Sequence, residues 1–220
     1  MGLANWQYRF KSLAWMAVLT AGLVNSPCSF AADGLLAEHG PLKVNLLSLT
    51  DFTPAEKTKM YQAAEVLERV VNSEEFRQAV LNFTYDGKKQ FVDNKGMTNE
   101  QIYETIRRGN EVLIGKDDET MDYDLTLYTP PFWKKRTVVG YTYGNTLRIW
   151  VNRYYFTDYT LAEVAANLAH EWCHKIGFDH DFQRTARRPY SVPYAVGNLV
   201  GELAAKMLGI TPPGNGNTMP

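Results

Sequence analysis

Cysteine is nearly missing from this 220-residue chain, which has two, Cys28 and Cys173. Cys28 falls in a segment read below as removed on export. That leaves Cys173 alone and excludes an internal disulfide in the remainder. Histidine is almost as scarce, with four copies. A surplus of positive charge is also lacking: 23 basic residues stand against 24 acidic ones, a net charge of −1. Without a concentrated basic face, nothing points to a nucleic-acid partner. There is no internal repeat and no interdomain linker. What is present fits one globular domain with a sizeable core: 45% hydrophobic, 13% aromatic and 21% charged residues.

The N-terminus has its own layout. Arg9 and Lys11 precede the apolar run "LAWMAVLTAGLV", Leu13 to Val24, of 12 residues. A bilayer-spanning helix needs roughly 20. The run is followed by "SPCSFAAD", with small residues at Ser29 and Ala31. This is the three-part pattern of a secretory signal peptide, with cleavage expected after Ala31 or Ala32. The expected organisation is a leader over 1–31, a domain over 32–210 and a flexible tail, "TPPGNGNTMP", over 211–220. The domain would then be exported, to a periplasm or to the outside medium, with no membrane span of its own. An uncleaved anchor is the alternative. Lipidation of Cys28 is disfavoured by Pro27 in front of it. Loss of the leader removes Arg9 and Lys11 but no acid, leaving 21 basic and 24 acidic residues.

Along the domain, "LKVNLLSL" (42–49) reads as a buried strand. Thr53, Pro54 and Glu56 then form a capping box ahead of a helix, with Met60, Ala64, Leu67 and Val71 at helical spacing. "SEEFRQAVLNF" reads as a short second helix. Thr98 and Gln101 box a third, which Gly109 stops. "YDLTLYT" alternates as a strand. "RTVVGYTYGNTLRIWVNRYYF" reads as a hairpin with Gly144-Asn145 as a tight turn and Leu147, Ile149 and Val151 on one face.

The stretch "HEWCHKIGFDH" holds three of the four histidines between positions 170 and 180. It ends the helix "TLAEVAANLAHEWCHKIG", which Thr160 caps, Glu163 boxes and Gly177 stops. At about 100° per residue, Leu161, Val164, Ala165, Leu168, Trp172 and Ile176 gather on one side. His170 and His174 fall on the other, one turn apart, facing solvent or a second layer of protein. Histidines at i and i+4 can aim both rings at one zinc ion, and the glutamate between them can take a proton from a metal-bound water. A third ligand is needed. Gly177 permits the chain to reverse and His180 follows it. The metal ligands expected are therefore His170, His174 and His180, with Glu171 as general base. Cys173 projects away and reads as a buried thiol.

The pattern His-Glu-x-x-His-x-x-Gly-x-x-His resembles that of the metzincin clan of zinc metallopeptidases. The resemblance is sharp over residues 170–180 and looser over the hairpin and the helix from Thr160. It implies an α+β, zincin-like fold: a small, mixed, twisted sheet over the active-site helix, plus a small helical C-terminal part. It implies "TVVGYTY" as an antiparallel edge strand lining the cleft, a protein or peptide substrate, and Zn²⁺ as cofactor. One feature departs from the clan. The methionine-containing turn below the metal is replaced by "YSVPYAVG", which keeps Ser191 and Tyr194 but has no methionine; Val192 or Pro193 would supply the apolar floor. Tyr194 would donate to the oxyanion or simply pack. Three further readings stay open. Glu202, on a helix 28 residues after His174, could serve as third ligand in a gluzincin-like arrangement. The protein could bind zinc in the cell envelope without hydrolysing peptides, or act as a cell-wall amidase. The cluster Arg184, Arg187 and Arg188 would grip a substrate carboxylate or form a solvated loop.

Overall fold

The structure is a computed structural model and describes residues 40–134 and 138–212. The expected leader lies outside the described residues, as does the tail from 213 onward. Among them are six α-helices and four strands, a mixed α+β arrangement. Helix α1 (Pro54–Val71) opens on the expected box: Thr53 Oγ1 accepts from the Glu56 amide at 3.3 Å, and the Glu56 carboxylate accepts from the Thr53 amide at 2.8 Å. Helix α2 (Glu74–Leu81) starts at the Ser73 cap, and α3 (Asn99–Arg108) at the Thr98–Gln101 box. Gly109 ends α3 at φ +62°, where an added Cβ would lie 2.3 Å from the Thr120 nitrogen, so a side chain is excluded twice over.

The four strands are β1 (Lys43–Thr50), β2 (Thr120–Tyr128), β3 (Gly140–Thr142) and β4 (Arg148–Asn152). They form one sheet in the order β1-β2-β4-β3. β1 and β4 run parallel to β2, and β3 closes the sheet antiparallel to β4. Met121, Tyr123, Leu125 and Leu127 of β2 and Ile149 and Val151 of β4 all enter the core, as period-2 alternation requires. The opposite face carries Asp124, held by Ser48 and by Arg148 Nε at 3.0 Å, and a stack of Tyr141 on Trp150 with ring centroids 5.2 Å apart.

Three expectations about the strands need correction. β1 is not a buried strand but the outer edge of the sheet, half-covered along its length. Its apolar run is too long for alternation because the register shifts between Leu46 and Ser48, leaving Leu47 bulged and 52% exposed. The hairpin turn is wider than the two-residue loop expected. Gly144 and Asn145 do sit at its tip, but Tyr143 to Leu147 all lie outside the paired strands. The second arm also ends at Asn152, not Phe156. The Asn152 side chain accepts from the Tyr154 amide at 3.1 Å and starts helix α4 (Arg153–Asp158). Aromatic, strand-like residues there are overridden by a capping asparagine.

Beneath the sheet lie α1 and the two remaining helices, α5 (Leu161–Lys175) and α6 (Val192–Leu208). One continuous core joins α1, α5, α6 and the inner sheet face, and Tyr123 donates to the Leu168 carbonyl at 3.1 Å. No described helix is long and apolar enough to cross a membrane.

Candidate metal centre

Helix α5 is buried nearly all round. Its apolar stripe, with Leu168 and Trp172 each 1% exposed, packs into the core as the helical period demands. Its polar stripe is buried as well: Asn167, His170, Glu171 and Lys175 are each 4–5% exposed. These residues recur at three- and four-residue spacing, so they form one face. β3 and the start of α6 cover that face. The histidines therefore lie under a second protein layer, His170 buried and His174 half-buried, and line the cleft left between the layers.

The reversal after α5 brings the third ring back. Gly177 adopts φ +93°, a conformation other residues rarely hold. The Phe178 amide then donates to the Cys173 carbonyl at 2.9 Å, and the Gly177 amide to that of His174 at 3.2 Å, which closes the helix end. Phe178 is 1% exposed and pins the turn into the core. As a result His170, His174 and His180 each offer a ligand atom, and these atoms lie within 4.8 Å of one another. The ring centroids are 5.2, 5.2 and 4.9 Å apart.

The second contacts of two rings fix their tautomers. His174 Nδ1 sits 2.8 Å from the Phe178 carbonyl, and His180 Nδ1 3.0 Å from that of Asp181. A carbonyl only accepts, so both Nδ1 atoms carry the proton and both Nε2 lone pairs are left for a metal. The same Phe178 thus ends the helix with its amide and orients His174 with its carbonyl. His170 Nδ1 is buried with no hydrogen-bond partner. The Pro193 carbonyl acts on that ring, but short of proper hydrogen-bond geometry for Nδ1.

Burial sets the charge state of the cluster. It holds His170 well below the usual imidazole range, with His174 and His180 adding repulsion. It lowers His174 to about 4 and His180 in the same direction. Three neutral imidazoles that cannot readily protonate, all converging, are a donor set for a transition metal ion. The residues fit a metal.

Glu171 lies in the same cleft. Burial pushes its carboxyl up to about 8, against the pull of the Lys175 ammonium and a hydrogen bond with Asn167. A divalent cation at the histidines would draw it back toward the ionised form. An added Cβ on Gly140 of β3 would come within 2.9 Å of Glu171 Oε1, so the strand can approach the carboxyl only because a glycine stands there. The cleft has a volume of about 480 Å³, with Gly140 to Gly144 on one wall and Arg184, Arg188 and Tyr194 on the other. The Tyr194 ring sits 4.5 Å from that of His170 and 4.7 Å from that of His180, so its packing role is filled.

Other expected residues are placed as follows. Cys173 is fully buried, its thiol pushed up by burial, and is not one of the converging groups. Glu202 is exposed on α6 and is not among them either, so the arrangement that uses it as third ligand finds no support. Val192 and Pro193 are both buried at the start of α6. Of the three arginines, Arg184 and Arg188 line the cleft and Arg187 is exposed outside it.

Two residues were missed from the sequence. Lys175 donates to Thr142 Oγ1 and to the carbonyls of Thr146 (2.6 Å) and Arg148 (3.3 Å), pinning the hairpin to the end of α5. Burial lowers its ammonium to about 8, against the charges of Glu171 and Asp124. Its i, i+4 relation to Glu171 was the available signal. Glu111, fully buried, accepts from Trp172 Nε1 at 2.7 Å and the Asp122 amide at 2.9 Å, while its Oε2 has no partner. Burial raises its carboxyl, and nothing in its local sequence marks it. Comparisons with protein-family profiles, curated proteins and solved structures each find no match.

Proposed function

We propose that this protein is an exported zinc-dependent metallopeptidase, a divergent relative of the metzincins. One observation carries the reading: three neutral imidazoles, that of His170 buried and those of His174 and His180 half-buried, converge beside a buried carboxyl in a single open cleft. His170, His174 and His180 would hold the ion. When bound, zinc supplies a Lewis acid that polarises a peptide carbonyl and makes water acidic near neutral pH.

The chain's own residues supply the rest. Backbone carbonyls of Phe178 and Asp181 keep two of the rings aimed. Glu171 takes a proton at its carboxylate as water attacks and returns it to the leaving amine. Asn167, one turn before, holds that carboxyl through a hydrogen bond, and the Lys175 ammonium, one turn after, balances its charge. β3 lies at the sheet edge, and an extended peptide would lie along it with main-chain hydrogen bonds. Burial raises the Tyr194 hydroxyl pKa, so it keeps its proton and is available to donate to a developing oxyanion. The leader-like N-terminus supports export.

The test is a mixed peptide library incubated with the purified protein, with and without chelator. Cleavage that chelator abolishes and zinc restores is expected. Tight zinc binding with no cleavage of any peptide would favour the non-hydrolytic reading.

A further inference from the structure

Arg188 has an unusual position for a surface-loop arginine. Its guanidinium carbon lies 4.6 Å from the Tyr194 ring centroid, and that ring in turn touches His170 and His180. One aromatic ring therefore separates this cation from the histidine cluster. Its Nε is buried and has no acceptor. Arg184 lines the same cleft; the positive charges of both arginines act on the Tyr194 hydroxyl, to which Arg188 also hydrogen-bonds, so that it is the Arg188 Nε that lacks an acceptor. Elsewhere Arg77, Arg148 and Arg153 each find a carboxylate, at 3.0, 3.0 and 2.9 Å. Among the described residues Arg184 and Arg188 have none. Besides Glu171, the cleft has one carboxylate, Asp179; it is 81% exposed and lies 3.7 Å from His174 Nδ1. A buried guanidinium N–H without an acceptor is satisfied best by a carboxylate, which can take Nε–H and one Nη–H together.

We infer that Arg184 and Arg188 form a carboxylate-recognition subsite beside the three histidines. It selects peptides that carry an acidic side chain, or a free C-terminal carboxylate, close to the cleaved bond. The inference rests on the peptidase reading for its substrate but on the arginines alone for its chemistry. Arg188 engages the carboxylate through its fork, and Arg184, more exposed, adds charge at the cleft mouth.

The test uses the full, zinc-loaded protein and three matched peptides built on a sequence it cleaves: one with Glu next to the scissile bond and an amidated C-terminus, one with Gln there and the same amide, and one with Gln and a free C-terminal carboxylate. The wild type should favour the Glu peptide or the free-carboxylate peptide over the neutral one by about tenfold or more in kcat/KM. Whichever is favoured identifies the source of the carboxylate. Arg188→Gln should collapse that ratio toward unity, Arg184→Gln should reduce it, and Arg188→Lys should keep part of it. A merely structural role for Arg188 would lower all three rates together and leave the ratio intact, which would overturn the inference. Calorimetric affinities of the same peptides for zinc-loaded Glu171→Gln give the ratio without turnover. If they show the arginine-dependent preference but nothing is hydrolysed by the wild type, the subsite stands and the peptidase reading falls. If peptides are hydrolysed with no preference between Glu and Gln or between carboxylate and amide, the reverse holds.

Discussion

The two faces of α5 are both largely buried and chemically opposite. One face, with Leu168 and Trp172, is apolar and locked into the core. The other, with Asn167, His170, Glu171 and Lys175, is nearly as buried but polar, and it opens onto the cleft. Apolar burial contributes stability roughly in proportion to area, and it constrains position only through packing. Buried polar groups cost free energy unless satisfied, and they fix geometry through hydrogen bonds. The contrast separates the half of the helix that holds the fold from the half that holds chemistry. A surface helix would show one apolar and one wet face; here β3 and α6 cover most of the second face and leave only the cleft open to solvent.

Glu171→Gln should have the largest effect, and only on the chemical face. Peptide hydrolysis should fall by about 10²–10⁴-fold, the usual contribution of general acid–base catalysis. Bound zinc, read by elemental analysis, should persist. Hydrolysis that survived this change would remove Glu171 from the mechanism. Trp172→Ala should affect the other face. It removes a large core side chain and the indole donor to the buried Glu111. A loss of about 3–5 kcal/mol in denaturant unfolding is expected. A loss under 1 kcal/mol would mean that this face is far less tightly packed than its burial indicates.

The comparison can be sharpened with pH. In the metal-free protein the Glu171 carboxyl sits near 8 in the folded state, against an ordinary 4.5. A raised folded pKa means that its contribution is intact below pH 4.5 and is lost as pH climbs toward 8, because ionising the buried group favours unfolding. Metal-free Glu171→Gln lacks this term. Its stability relative to the wild type should therefore rise between pH 4.5 and 8, by a few kcal/mol. Zinc should flatten the trend by drawing the carboxyl back to its ionised form. A difference independent of pH would show that Glu171 is not desolvated. The smallest effect expected is Gly177→Ala, which forces φ +93° on a residue with a Cβ and brings that atom to 3.3 Å from Val112 Cγ2. About 1–3 kcal/mol of strain follows, together with weaker metal binding if His180 is displaced. Unchanged thermal stability would show that the turn relaxes freely.

Much of this contrast was legible in the sequence. The caps at Thr53, Thr98 and Thr160 fix helix starts locally, through side chains three residues apart, and each forms as read. The histidine spacing likewise encodes its own geometry, since i and i+4 share a face whatever surrounds the helix. What was hidden depends on tertiary context. The bulge at Leu47 exists because β1 must keep pairing with β2 while an extra leucine is let out. Helix α4 follows from one asparagine turning its side chain onto the next residues. Lys175 and Glu111 look like solvent-facing charges until the hairpin covers the first and β2 and α5 enclose the second. Whether Arg188 points at solvent or at Tyr194 is set by how residues 181–190 return to α6, which no local pattern states.

The central claim is most directly tested by metal content and affinity, comparing the wild type with His180→Ala and Glu202→Ala. The wild type should carry one zinc per chain. His180→Ala should lose affinity by more than the roughly 10–100-fold that an outer-shell partner costs, and Glu202→Ala should match the wild type. A wild type that binds no transition metal, or a His180→Ala protein that binds as tightly as the parent, would contradict the account.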